Sequence, residues 1–497
     1  MMKNEKVDVL IVGAGLSGIG AACHLKRETP YKSFAILEAR DAMGGTWDLF
    51  RYPGIRSDSD MYTLGYNFKP WTNPKAIADG PSILKYIKDT AAEYHIDSHI
   101  RYGHQVKHAS WSTPDAEWTV EVFDKNKNET KTISANFVIG CTGYYNYEHG
   151  YEPKFAGRED FKGLVIHPQK WPEDLDYNGK KVVVIGSGAT AVTIVPAMTD
   201  KAAHVTMLQR SPTYMMSLPE RDKMLNTMRE YLPDTLVYRF ARARNVAFST
   251  GFYQFCRRFP DKARSLIEGQ VKRQLGPDYD MRHFTPDYKP WDERLCAVTN
   301  GDMFKAIKRG DASVVTDHIE RFTETGILLK SGEELEADIV ITATGLDIKL
   351  MGGVTLDVDG EAFEVSEKMV YKGVLLQDLP NMGMIFGYTN ASWTLKADLI
   401  SEYIFRLIKH MDKKGLRQCT PRNTDQGMPM QPFLDMRSGY IQRAMKKTPK
   451  QGSKMPWKLY QNYLLDMAML RFGSLADKDL QFTNPEPATS RTTARAA

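Results

Sequence analysis

Residues 7–28 read VDVLIVGAGLSGIGAACHLKRE. An apolar run from Val7 to Val12 breaks at glycines spaced GxGxxG (Gly13, Gly15, Gly18), and an apolar-periodic stretch follows. That order predicts strand, tight turn and helix. Glycine permits the turn and a close backbone approach, and the first turn of a helix offers N–H groups to an anion. The next apolar run, SFAILEAR (33–40), carries Glu38, 20 residues after Gly18, where a carboxylate would accept hydrogen bonds from a ribose diol. An ordinary tight turn is the competing reading, and the strand–turn–helix–acid context weighs against it.

The pattern recurs once. KVVVIGSGATAVTIVPAMTD begins at Lys181, keeps Gly186 and Gly188, and places Ala191 where the third glycine stood. Its following strand, HVTMLQRS (204–211), ends in Arg210 and Ser211 rather than an acid. A carboxylate there would repel a 2′-phosphate, whereas a guanidinium grips it through two hydrogen bonds, with the Ser211 hydroxyl beside it. A solvated strand end is the plainer alternative for Arg210. The two units predict an α/β chain with two Rossmann-like dinucleotide-binding domains, FAD in the first and NADPH in the second.

Two further runs, NFVIGCTGYYN (136–146) and ADIVITATGLD (337–347), read as returning strands that end on Thr-Gly pairs. The second lies far beyond the second glycine turn, so the domains are expected to be nested. The predicted division gives 1–146 and 347–482 to the FAD-binding domain and 147–211 and 290–346 to the NADP-binding domain. Residues 212–289, rich in Met, Arg and aromatics and without strand alternation, read as a helical insertion. The polar, proline-containing 483–497 reads as a disordered tail. In SWTLKADLISEYIFRLIKHMDKKG (392–415), Leu395, Leu399, Tyr403, Leu407 and Met411 share one helical face, with Ser392 or Thr394 as start signals and Gly415 as stop.

Composition excludes several classes. The net charge of +5 is small for 497 residues, and no homogeneous basic tail appears, so nucleic acid is not an expected partner. Five scattered cysteines with no CxxC pair argue against a disulfide framework, a metal centre and a dithiol redox site, and fit a reducing cytoplasm. No apolar run approaches the roughly 20 residues that span a bilayer. The basic residues Arg239, Arg242, Arg244, Arg257, Arg258, Lys262 and Arg264 of the insertion read either as a solvated helical face or as a peripheral contact with an anionic membrane.

Two dinucleotide sites without a cysteine pair narrow the flavin chemistry. A disulfide reductase lacks its dithiol, and an oxidase has no need of a second nucleotide site. A monooxygenase needs both, because NADPH reduces the flavin, which then captures oxygen as a C4a-peroxide.

Immediately before the second glycine turn, residues 161–172 read FKGLVIHPQKWP. Its five spaced positions, Phe161, Gly163, His167, Trp171 and Pro172, resemble the fingerprint of Baeyer–Villiger flavin monooxygenases. The bland reading is a proline-rich connection with a packed Trp. The resemblance extends through GGTWDLFRYPGIRSDSDMYTLGYNF (44–68), YYNYEHGYEPKFAG (144–157), LQRSPTY (208–214), PWDERL (290–295) and GYTNASWTLKADL (387–399), which are similar to the ethionamide-activating branch. It implies conversion of ketones to esters or lactones through that peroxyflavin, with oxygenation of sulfides and thioamides. Its substrates would be molecular oxygen and hydrophobic ketone or sulfur-containing small molecules. An enzyme limited to S- or N-oxygenation and a non-catalytic flavin sensor are the alternatives.

The resemblance also implies roles. Arg294 would stabilise the anionic peroxide, Asp58 would orient Arg294, and Gly45, Thr46 and Trp47, with Gly44, would contact the flavin. A fixed guanidinium suits that task because it cannot lose its proton, and in a dry site it requires a counter-charge. Many family members carry Lys before the active-site arginine; Glu293 departs from this and leaves more of the 2′-phosphate to Arg210. His167 lies on an interdomain connection, and domain orientation is expected of it rather than proton transfer.

Overall fold

The computed structural model describes residues 5–434 and 438–485. Strand β1 (Glu5–Val12) feeds helix α1 (Leu16–Glu28), and β2 (Phe34–Leu37) returns parallel to β1. Strands β3 (His104–Ser112), β4 (Glu117–Asp124) and β5 (Glu129–Gly140) form an antiparallel meander, whose last member lies parallel to β1 with Val9 opposite Phe137. The core of β1 is buried on both faces because α1 covers one side of the sheet and the meander the other. Residues 355–384 add further strands, so this sheet counts eleven among the described residues.

A second sheet is parallel throughout. Strands β6 (Leu164–Ile166), β7 (Lys181–Ile185), β8 (His204–Gln209), β9 (Ala312–Thr316) and β12 (Ile339–Thr342) stand in the order β9-β8-β7-β12-β6. Helix α2 (Ala189–Met198) makes the crossover from β7 to β8. Between β9 and β12 the chain makes an antiparallel hairpin from β10 (Ile319–Phe322) and β11 (Gly326–Leu329). The expected runs at 136–146 and 337–347 become strands only up to Gly140 and Thr342, where each chain leaves its sheet and crosses to the other.

The intervening region holds helices α3 (Asp234–Arg258) and α4 (Pro260–Leu275), as expected. One expectation fails: Met215–Leu218 is a strand, paired in parallel with Cys296–Thr299. Four residues carry no readable period, and their partner lies about eighty positions away, so tertiary pairing alone creates this strand. Helix α3 joins the core of the first sheet through Val237, Tyr238 and Ala241, whereas α4 joins that of the second through Val271 and Leu275. The Arg242 guanidinium donates to the carbonyls of Tyr62 (3.0 Å) and Gly65 (2.7 Å) and pairs with buried Asp398 at 3.0 Å. The insertion therefore clamps both halves rather than hanging from one.

Helix α5 (Trp393–Lys414) packs along α1 and buries Leu395, Leu399, Tyr403, Leu407 and Met411. Ser392 occupies its N-cap position without a side-chain cap, its hydroxyl instead accepting from Thr63, and Gly415 closes it in the left-handed region. Leu480–Thr483 pairs with Gln418–Pro421, and residues 486–497 of the expected tail lie outside the described residues. Among the described residues, no helix is long and apolar enough to cross a membrane.

Candidate functional site

The two glycine turns face each other across a cavity of about 940 Å³. Gly13 has a φ of +106°, and a Cβ there would lie 2.5 Å from the Cys141 carbonyl oxygen, so side chains are excluded on two grounds. A Cβ on Gly18 would collide with the Gly13 carbonyl at 1.8 Å, which locks α1 against its own turn. Gly15 then caps α1 at the cavity wall, with no acidic residue in the first turn. Glu38 is buried, and its two carboxylate oxygens accept from the N–H groups of Ala14 (2.8 Å) and Arg40 (2.9 Å). Burial pushes its carboxyl above the usual range despite those bonds. Each oxygen keeps a lone pair for a ribose hydroxyl.

The segment 44–47 lies over this turn. The Gly44 N–H donates to the Ala14 carbonyl at 2.9 Å, and the Gly45 and Gly15 α-carbons face each other. Gly45, Thr46 and Trp47 line the cavity, and Trp47 packs against the cores of both halves. Across from them, Gly186 repeats the tight approach, with a Cβ placed 2.4 Å from the Ala343 carbonyl. A Cβ on Gly188 would meet nothing within 4 Å. Ala191 is fully buried behind this turn, where a small residue lets α2 sit on β7. Arg210 and Ser211 reach the cavity from the end of β8, and Arg210 is exposed.

In the wall of the cavity, Arg294 Nη2 lies 3.2 Å from Asp58 Oδ2. Arg294 sits deep in the protein, and 36% of its side chain is accessible only because it forms the cavity wall. The carboxylate of Asp58 outweighs burial and holds the guanidinium protonated. Tyr144 stacks on Trp393 at 5.3 Å between centroids, and Trp393 Nε1 donates to Ser17 Oγ at 2.8 Å, which ties the start of α5 to α1. Beyond Arg294 lies a tight apolar pocket of about 30 Å³ shared by Phe386, Tyr388, Phe433 and Leu434. Tyr388 falls in the 387–399 stretch singled out in the sequence, whereas Phe386, Phe433 and Leu434 fall in no motif, and only their apolar character could have drawn attention.

The fingerprint at 161–172 does not reach this cavity. Phe161 packs edge-on against Phe322, and Gly163 is forced by the Asp338 carbonyl, 2.4 Å from where a Cβ would be. His167 Nδ1 accepts from the Gln169 N–H at 3.2 Å, while its ring lies over Gly150. Burial pushes its imidazole below the ordinary range, and the Gly345 backbone pulls the other way. Gln169 donates to the Asn146 carbonyl at 2.7 Å, and the Asn146 N–H donates to Asp347 O at 2.8 Å. Trp171 packs against the second core beside Pro172. The segment therefore fastens the two crossings at 141–151 and 343–347.

The cavity suits two dinucleotides: a helix start and a glycine turn stand at each, a carboxylate serves one and a cation the other. Cys141, next to the first turn, is buried and unpaired, and burial pushes its thiol up. Among the described residues, no cluster could hold a metal ion.

A family profile described as flavin-binding monooxygenase-like matches residues 70–409, and one for an NAD(P)-binding Rossmann-like domain matches 11–72. The FAD-containing monooxygenase EthA of Mycobacterium tuberculosis (strain H37Rv) is 53% identical over 486 residues, 97% of this chain and 99% of that protein. EthA of Mycolicibacterium smegmatis is 53% identical over 488 residues, 98% of this chain and 99% of its own. An oxidised steroid monooxygenase bound to NADP superposes with a TM-score of 0.75 at 20% identity, covering 96% of this chain and 99% of the other. Closed cyclohexanone monooxygenase gives 0.74 at 19% identity, over 97% and 100%; both establish the shared fold. The chain belongs to the flavin-binding monooxygenase-like family and is an FAD- and NADPH-dependent monooxygenase.

Proposed function

We propose that this enzyme is of the Baeyer–Villiger type, converting hydrophobic ketones to esters or lactones and oxygenating sulfides and thioamides. The Arg294–Asp58 pair in the cavity wall carries this reading. Bound FAD, reduced by NADPH, supplies the electrons and activates molecular oxygen. Arg294 offers fixed donors to the negative charge that develops on the substrate's carbonyl oxygen, and it cannot quench that charge by releasing a proton. Asp58 compensates the guanidinium and sets its plane. The substrate's hydrocarbon part occupies the main cavity beside Arg294, where Tyr388 and Trp393 give it apolar surface, and the small pocket behind them leaves little room for water.

In the same reading, residues 1–146 and 347–482 hold FAD, 147–211 and 290–346 hold NADPH, and the fingerprint keeps the two in register. Gly13, Gly15, Gly18, Glu38 and the 44–47 turn serve the flavin; Gly186, Gly188, Ala191, Arg210 and Ser211 serve the nicotinamide cofactor. The enzyme works in the cytoplasm, with peripheral contact at an anionic membrane. That contact rests on α3, which exposes Leu236, Phe240 and Phe248, with exposed Arg239 next to Phe240 in the chain. Arg242, Arg244, Arg257 and Arg264 are already engaged with Asp398, Asp222, Asp292 and Glu268.

Purified, FAD-loaded protein with NADPH, oxygen and 2-octanone tests the proposal. Ester formation supports it. Sulfide oxidation without ester restricts the enzyme to heteroatom oxygenation, and no substrate-dependent NADPH loss overturns it. Co-sedimentation with anionic but not neutral vesicles, abolished in Phe240→Ser/Phe248→Ser, tests the membrane contact.

A further inference from the structure

At the end of the cavity near Arg210, two more basic residues converge. Strands β8 and β9 are parallel, with Gln209 opposite Thr316, and the Asp317 N–H donates to the Gln209 carbonyl at 3.0 Å. The positions that follow both strands, Arg210 and 317–318, therefore emerge side by side. The backbone N–H of Lys330, the first residue after β11, donates to the His318 carbonyl at 2.9 Å and brings the hairpin tip to the same place. Arg210, His318 and Lys330 all line the cavity.

These three side chains differ from other cations in the same wall. Arg294 is paired with Asp58, Arg56 with Asp302, and Arg443 stacks on Tyr151 at 3.4 Å. Among the described residues, the side chains of Arg210, His318 and Lys330 form no ion pair or hydrogen bond. The nearby carboxylate of Asp317 is engaged by the turn itself, accepting from the N–H groups of His318 (2.6 Å) and Ser331 (3.1 Å). Bonding to Ser331, then to His318, holds it below the usual carboxylate range, so it stays an acceptor for that turn.

The ends of adjacent parallel strands beyond a glycine turn are where the adenosine ribose of a dinucleotide lies. An unpaired guanidinium and ammonium there match a phosphomonoester: the first binds it in two-pronged fashion and the second as a point charge. We propose that Lys330 and His318 complete, with Arg210, the subsite for the 2′-phosphate of NADPH, so that the β10–β11 hairpin helps select NADPH over NADH. The proposal rests on NADP binding at the second glycine turn.

Calorimetric titration of the FAD-loaded enzyme with NADP+, NAD+, 2′,5′-ADP and 5′-AMP tests it. Lys330→Gln should weaken NADP+ and 2′,5′-ADP by about tenfold, the effect of one charge-assisted hydrogen bond, and leave NAD+ and 5′-AMP within about twofold. His318→Gln should act in the same direction and less strongly. Unchanged NADP+ affinity in both variants, or equal losses for NADP+ and NAD+, overturns the assignment. Failure of the parent protein to bind any of the four would instead remove the NADP reading of the turn. Both side chains reach solvent, so melting curves should superpose on the parent, and Lys305→Gln, outside the cavity, provides the control.

Discussion

The two glycine turns begin alike and end differently. Gly13 and Gly186 both sit in the left-handed region with a carbonyl closer than 3 Å to where a Cβ would be. The first turn is then covered: the 44–47 segment lies over Gly15, and buried Glu38 closes on Ala14. The second remains open at Gly188, and its charged residue, Arg210, stands in solvent. A repeated motif thus fixes the local backbone, whereas cover from elsewhere in the chain decides whether a ligand is enclosed or reached from outside. An enclosed first site suits a resident flavin, and an open second site suits a reductant that must arrive and leave.

The largest expected effect breaks the likeness at its tightest point. Gly13→Ala places a Cβ against the Cys141 carbonyl in a conformation L-residues avoid, so the protein should purify without flavin, read from its visible absorbance, or fail to fold. Retained yellow colour and an unchanged melting temperature would refute that packing account. Next, Arg294→Ala should keep flavin reduction by NADPH under anaerobic conditions but lower ester formation by about 10²–10³-fold, as when a fixed donor is removed from developing negative charge. An unchanged ester yield would remove Arg294 from the chemistry.

Arg210→Ala should raise the Michaelis constant for NADPH by about tenfold or more while sparing NADH. Equal effects on both would place Arg210 outside the cofactor site. Gly188→Ala sharpens the contrast with Gly13: the fold and flavin content should be unchanged because the new methyl enters open space, while NADP+ binding weakens because that space is where a pyrophosphate approaches. Loss of flavin from this variant would contradict the division of labour between the turns.

The smallest effect concerns His167. Its imidazole is held below its unfolded value, so the unfolded chain binds the extra proton first as pH falls. Stability should therefore decline as pH drops through the unfolded histidine range, and His167→Gln should flatten that part of the melting-temperature profile. An identical slope in the variant would assign the dependence to other groups.

Local rules carried much of the fold. Short apolar runs, glycine spacing and the 3.6-residue face of α5 were legible because each depends on neighbours in sequence, and the turns and helix stand where those signals put them. The strand at 215–218 was not legible, since its existence depends on Cys296–Thr299. Nor could the sequence show that α3 belongs to the first core while α4 belongs to the second, because both are equally amphipathic taken alone.

The candidate site divides in the same way. FKGLVIHPQKWP carried the resemblance to Baeyer–Villiger monooxygenases, yet its side chains lie outside the cavity and hold the crossings together. By itself the sequence determined that two strand–turn–helix units exist, one followed by an acid and the other by a cation, because backbone sterics and charge act over a few residues. The family resemblance implied that Asp58 meets Arg294, which the structure places 3.2 Å apart, whereas only the tertiary structure decided that Lys330 comes to lie beside His318 at the end of Arg210's strand. Those meetings join residues far apart in the chain, and only packing of the sheets, the insertion and the crossings against one another brings them within reach.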